Sequence, residues 1–414
     1  MASCIPLFGP RGDGTVGGSP TGGGPGGGSG PGGDGGDDVT YTLTVTVEGE
    51  GTVTVTPEKA VYNSGELITL TAVPATDHHF LSHWGGDAAD RLENPLFLGI
   101  DADRAITAVF SPDLWSVATA EAGWSARSLH GAVVHDGKLW VIGGLGEVGV
   151  LLNDIWSSEN GTAWTPVAAD AAWSGRFGHA AVAHDPVGGG DPDIWIIGGA
   201  YLRDVWRSSD GAVWTEVTDQ AEWNERTEFL AVAHDTKLWV MGGFDGSAPL
   251  NDIWSSTDGE TWTPVDTTGE IWSPRRGHAG VVYDGKLWVI GGIGEDGALL
   301  SDVWYSEDGV VWTQATADAG WPARSSHAAA VHAGRIWVFG GSRDHGLRRY
   351  RDVWSSADGI SWTPEHHGSW SPRSGHRALS HDDRLWMIGG ERRWSLHEMP
   401  TKTRDVWYLE TPAE

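Results

Sequence analysis

The chain has 414 residues and a formal net charge of −29, with 61 Gly, 20 Pro, 26 Trp and a single Cys. One cysteine excludes an internal disulfide framework and any zinc or iron–sulfur site built on the cysteines of one chain. The negative charge argues against a nucleic-acid backbone or an anionic membrane surface as partner, and no run of about 18 apolar residues is present to span a bilayer.

Residues 1–38 are low in complexity. Glycine dominates from Gly12 to Gly36, with Pro20, Pro25 and Pro31 between. Such a stretch cannot bury enough surface to offset its ordering entropy, which predicts a disordered tether. Ahead of it, Ala2-Ser3-Cys4 resembles the end of a bacterial lipoprotein signal, where the cysteine receives lipid. The charged and apolar parts that precede it in such signals are absent. Cys4 is therefore either a lipidation site whose true start lies upstream, or an incidental thiol.

Residues 39–111 change character. Tyr41–Val47 and Thr52–Thr56 alternate with period two around Glu48-Gly-Glu-Gly51, which predicts a β-hairpin. Further strands fit Leu67–Val73 and Ala105–Phe110. Tyr41, Gly51, Pro57, Tyr62, Gly65, Phe80, Trp84-Gly85-Gly86, Asn94-Pro95 and Ala108-Val109-Phe110 together resemble the divergent internalin B-type repeat. That resemblance implies a small β-domain serving as spacer or adhesive module on secreted bacterial proteins. His78, His79 and His83 cluster with Asp77 in this region, and surface-loop histidines are the simpler reading than a metal site.

From Asp113 onward the chain repeats. Trp124, Trp173, Trp223, Trp272, Trp321 and Trp370 recur at intervals of about 50 residues, a period expected for propeller blades. Each unit reads as four short strands. A W-x-x-R segment leads to the first, a Gly-Gly pair ends the second, Asp-(Val/Ile)-Trp marks the third, and an S-x-(N/D)-G turn precedes the fourth. Residues 113–408 resemble the kelch family, whose units carry large apolar residues, Gly-Gly and a spaced aromatic. The fold expected is all-β: a six-bladed kelch-type β-propeller over 112–414, preceded by the small β-domain. The sixth unit lacks its own fourth strand, while Asp113-Leu114-Trp115 precedes the first, so an N-terminal strand should close the ring. On this reading 24 of the 26 tryptophans pack between blades; Trp84 and Trp394 stand outside the repeat.

Two regular sets could be mistaken for chemistry. Arg127, Arg176, Arg226, Arg275, Arg324 and Arg373, with His130, His179, His278, His327 and His376, recur as packing does, so no metal is assigned to them. The turns such as Ser208-Ser-Asp-Gly211 are similar to the Asp-box of sialidases, which is structural there. No cofactor is expected. Irregular positions carry more information. Glu228 stands where the other units have Leu, Gly or Ser, and Phe229 where they have His. The loops between second and third strands of units five and six hold Arg343, Arg348, Arg349, Arg351, Arg392, Arg393, Lys402 and Arg404, with Trp394 among them. Variable loops on a rigid scaffold are where binding concentrates. Guanidinium forks and a stacking indole predict a protein or anionic-glycan ligand. The competing reading is a solvated network with Asp344, Asp352, Glu391 and Glu398.

The function expected is a non-catalytic binding module, extracellular or on the cell surface. The alternative is an enzyme like the kelch sialic-acid mutarotases, acting on an anionic sugar in the axial pocket near Glu228. An oxidase like galactose oxidase is excluded, because its copper site needs a cysteine cross-linked to tyrosine.

Overall fold

The computed structural model describes residues 39–75, 79–89, 91, 94–186, 188–343, 348–365, 368–393 and 399–410. Residues 1–38, expected to form a tether, lie outside them with Cys4, and so do Trp394, Asp77 and His78.

The repeat units are antiparallel meanders. In unit one, Gly131–His135, Lys138–Gly146, Leu151–Ser158 and Thr165–Ala168 pair in succession. Unit two repeats the order with Ala180–His184, Asp193–Gly199, Leu202–Ser208 and Thr215–Thr218. The second strands are continuous apolar runs such as Leu139-Trp-Val-Ile142, buried on both faces. The reason lies between units, where the cores form. Val133, Trp140 and Ile142 of unit one share a core with Trp173, Ile194 and Ile196 of unit two. Trp124, Leu139 and Val141 pack on Trp386, Ile388 and Val406 of unit six. In unit six, Arg377–His381, Arg384–Ile388 and Val406–Glu410 are joined by Trp115–Thr119, with Leu409 opposite Trp115.

The Gly-Gly pairs have a packing cause. A Cβ on Gly143 would lie 3.3 Å from the His179 ring of the next unit, and one on Gly144 would lie 2.7 Å from Cβ of His130 in its own unit. Both glycines take positive φ, 54° and 111°, which other residues adopt only under strain.

In the small domain, strands Glu66–Pro74 and Arg104–Pro112 form where expected, each slightly longer. The expected hairpin does not form. Leu43–Glu48 runs parallel to Arg104–Pro112 in one sheet, whereas Gly51–Thr56 pairs with Glu66–Pro74 in another. The link folds over Phe110 instead: a Cβ on Gly51 would sit 2.4 Å from the Phe110 ring. Leu43 and Val45 of one strand and Val53 and Val55 of the other thereby face one core, around Trp84, Leu70 and Phe110. Alternation reports a half-buried strand, and it does not report which sheet the strand joins.

Candidate functional site

Each W-x-x-R arginine is fully buried and forms a bidentate pair with the aspartate of its unit's Asp-(Val/Ile)-Trp motif. Arg127 Nη1 and Nη2 donate to Asp154 at 2.7 Å each, and Nη1 also reaches the Gly143 carbonyl at 2.8 Å. The same arrangement joins Arg275 to Asp302 and Arg373 to Asp405. Trp156 Nε1 donates to the second Asp154 oxygen, and the Arg127 guanidinium stacks 5.5 Å from the Trp124 ring. The motif is therefore structural, a link that the sequence reading missed although both motifs recur in all six units.

Two residues beyond each arginine the chain turns inward. Leu129, Gly178, Glu228, Gly277, Ser326 and Gly375 all take positive φ, between 50° and 63°. Their backbones form a cycle. Gly178 N donates to Leu129 O, Glu228 to Gly178, Gly277 to Glu228, Ser326 to Gly277, Gly375 to Ser326, and Leu129 to Gly375, at 2.7–3.2 Å. Two cavities share this ring. One, of about 100 Å³, is lined by Ser128, Leu129, Ser326, Ser374, Gly375 and Glu391. The other, of about 40 Å³, includes Glu228, His278, His327 and Arg377. Burial raises the Glu228 carboxyl pKa, opposed by Arg276, whose Nη1 lies 3.5 Å away.

The basic loops divide into inward and outward residues. Arg349 is buried, donates to Ser374 Oγ at 3.0 Å and pairs with Glu391, which also takes Lys402 Nζ at 3.2 Å. Arg349 thus stands behind the wall of the larger axial cavity. Arg351 is also buried, with Nη2 donating to the carbonyls of Leu81 and Ser82 in the small domain at 2.7 and 2.5 Å. Arg343 lies 5.8 Å from the Tyr350 ring centre. Arg348 and Arg392 are exposed and Arg393 half-buried, and Arg392 Nε reaches Thr401 Oγ1 at 3.2 Å. Arg404 pairs with Glu121 at 3.0 Å. Of the carboxylates expected to neutralise the loops, Asp352 is held by Arg324 instead.

The sequence reading passed over Arg377. Its signal was a break in the repeat, because Gly131, Ala180, Leu230, Ala279 and Ala328 occupy the equivalent positions. Among the described residues no group of three or more His, Cys, Asp or Glu is placed to hold a metal, and no helix is long and apolar enough to cross a membrane.

Family models place these observations. The KLHDC2/KLHL20/DRC7 Kelch-repeats domain matches residues 199–341, the Kelch motif matches 126–157, and the divergent InlB B-repeat domain matches 41–114. No curated protein matches the chain by sequence. Among solved structures, that described as "Structure of YjhT" is similar with a TM-score of 0.56 and 15% identity, over 70% of this chain and 96% of that one, a likeness of fold. The chain is all-β and carries a divergent InlB B-repeat domain followed by kelch repeats in a propeller fold.

Proposed function

We propose that the protein is a binding module displayed outside a bacterial cell, without catalytic activity of its own. Residues 112–414 form six blades closed by the strand Trp115–Thr119, residues 39–111 a spacer domain, and residues 1–38 a tether with Cys4 as the lipidation candidate. Closure is supported by the pairing of Trp115–Thr119 with Val406–Glu410 and by the cyclic hydrogen bonds at the axis.

The ligand is an acidic protein or an anionic glycan, taken by the loops of units five and six. The observation that carries this is the exposure of Arg348 and Arg392, with Arg343 and Arg393 half-buried nearby, on a chain of net charge −29. Arg349 and Arg351 face inward and shape those loops. An enzyme acting on a nine-carbon sugar acid at the axis is disfavoured by the size of the cavities, about 100 and 40 Å³ against roughly 300–1,000 Å³ for typical ligand pockets. The test is binding of the full chain to arrays of sialylated and sulfated glycans and of acidic proteins. A variant combining Arg348→Glu and Arg392→Glu should bind the preferred partner at least tenfold more weakly, with a shallower salt dependence. Unchanged affinity in that variant rejects the loops as the site.

A further inference from the structure

Each of the six buried W-x-x-R guanidinium groups takes a carboxylate, whereas the half-buried Arg377 takes none among the described residues. It belongs to the first strand of unit six and lines the smaller axial cavity. Its Nε donates to the His130 carbonyl at 2.6 Å, and neither Nη1 nor Nη2 has an acceptor among the described residues. Burial is what acts on its charge, pulling the pKa down to about 10, with no carboxylate opposing. Glu228 lines the same cavity, yet its ion pair is with Arg276. By its exposure Arg377 is half-buried, and a partly desolvated cation with no carboxylate beside it favours an anion as partner.

The cavity offers further donors. His278 and His327 line it and are buried, and among the described residues neither ring makes a hydrogen bond of full geometry, although the backbones of Met241 and Ile290 interact with them. A neutral imidazole carries one N–H, so each can donate. At about 40 Å³ the space admits an occupant of a few atoms and excludes a sugar. We propose that this cavity is an anion site, in which the Arg377 guanidinium holds one small monovalent anion of chloride or formate size. The anion would supply to Arg377 from outside the chain what the aspartates supply to the buried W-x-x-R arginines.

The experiment measures the melting temperature of the full chain in sodium chloride, sodium formate and sodium gluconate at equal ionic strength, with gluconate too large to enter. The site requires chloride or formate to raise the melting temperature by about 2 °C or more over gluconate, and the arm with the larger rise distinguishes halide from carboxylate. Arg377→Ala carries the side chain that Ala180, Ala279 and Ala328 already provide in other units, so it should fold and lose that dependence. Equal melting temperatures of the wild type in all three salts, or an undiminished rise in Arg377→Ala, would overturn the proposal and leave water as the occupant.

Discussion

The five histidines that follow the ring positions bring a titration into the core. His130, His179, His278, His327 and His376 are buried, and burial, foremost, lowers their pKa, to about 3 for His278 and His376. An unfolded imidazole takes its proton near pH ~6.5. Below that pH the unfolded chain binds protons that the folded chain refuses, so stability falls from about pH 6.5 towards 3 and is unaffected by these groups above. Each contributes up to about 1.4 kcal/mol per pH unit inside that window. Asp405 acts lower. Burial alone would raise its pKa, but Arg373 and the hydrogen bonds of Trp407 and Thr403 hold it at about 2, so its share is lost between about pH 4 and 2. Unit three already holds Phe229 at the histidine position, 9% exposed against Trp223. His278→Phe should therefore fold and reduce the slope of unfolding free energy against pH by about one proton between pH 4 and 6. Urea titrations across that range measure it, and a slope equal to the wild type's would mean that His278 is protonated in the native state.

At the scale of the element, the period of the tryptophans made most of the fold legible, because one side chain per strand marks the surface between neighbours. Trp124 meets Trp164 edge-on at 5.9 Å, and Trp272 meets Trp312 at 6.0 Å. Trp370 meets Trp115 in the same manner at 6.0 Å, although 255 residues of chain separate them. The small domain was less legible, since its first two strands look like a hairpin until Phe110 is seen occupying the turn. If Trp115 is a working fourth-strand residue, Trp115→Ala should cost about 3–5 kcal/mol by chemical denaturation, as Trp312→Ala should in unit four. A loss below about 1 kcal/mol for Trp115→Ala alone would show that the N-terminal strand frays and leaves unit six with an open edge.

On the scale of the molecule, composition predicted cationic loops on an anionic chain but could not say which way each arginine faces. Arg348 and Arg392 turn outward, whereas Arg351, three residues from Arg348, reaches the bulge at Leu81–His83 in the small domain. No pattern in the sequence links positions 270 residues apart in contact. Arg351 is 5% exposed, and burial lowers its pKa to about 10, opposed by the charge of Asp113. Two of its partners among the described residues, the carbonyls of Leu81 and Ser82, lie in the small domain, so this side chain couples the InlB-type domain to the loop of unit five. Truncating it leaves two buried carbonyls without that donor, each costing about 1–3 kcal/mol. The loss falls on the junction while both cores stay intact, so Arg351→Ala should separate one calorimetric transition into two, the small domain melting first. Arg351→Lys restores a charge without the fork and should recover only part of the coupling. A single transition retained in Arg351→Ala at the wild-type temperature would show that the domains are held together elsewhere. If the transitions separate while Arg348 and Arg392 still bind their partner, the junction acts on stability alone; weaker binding would show that the small domain also sets the shape of the loop.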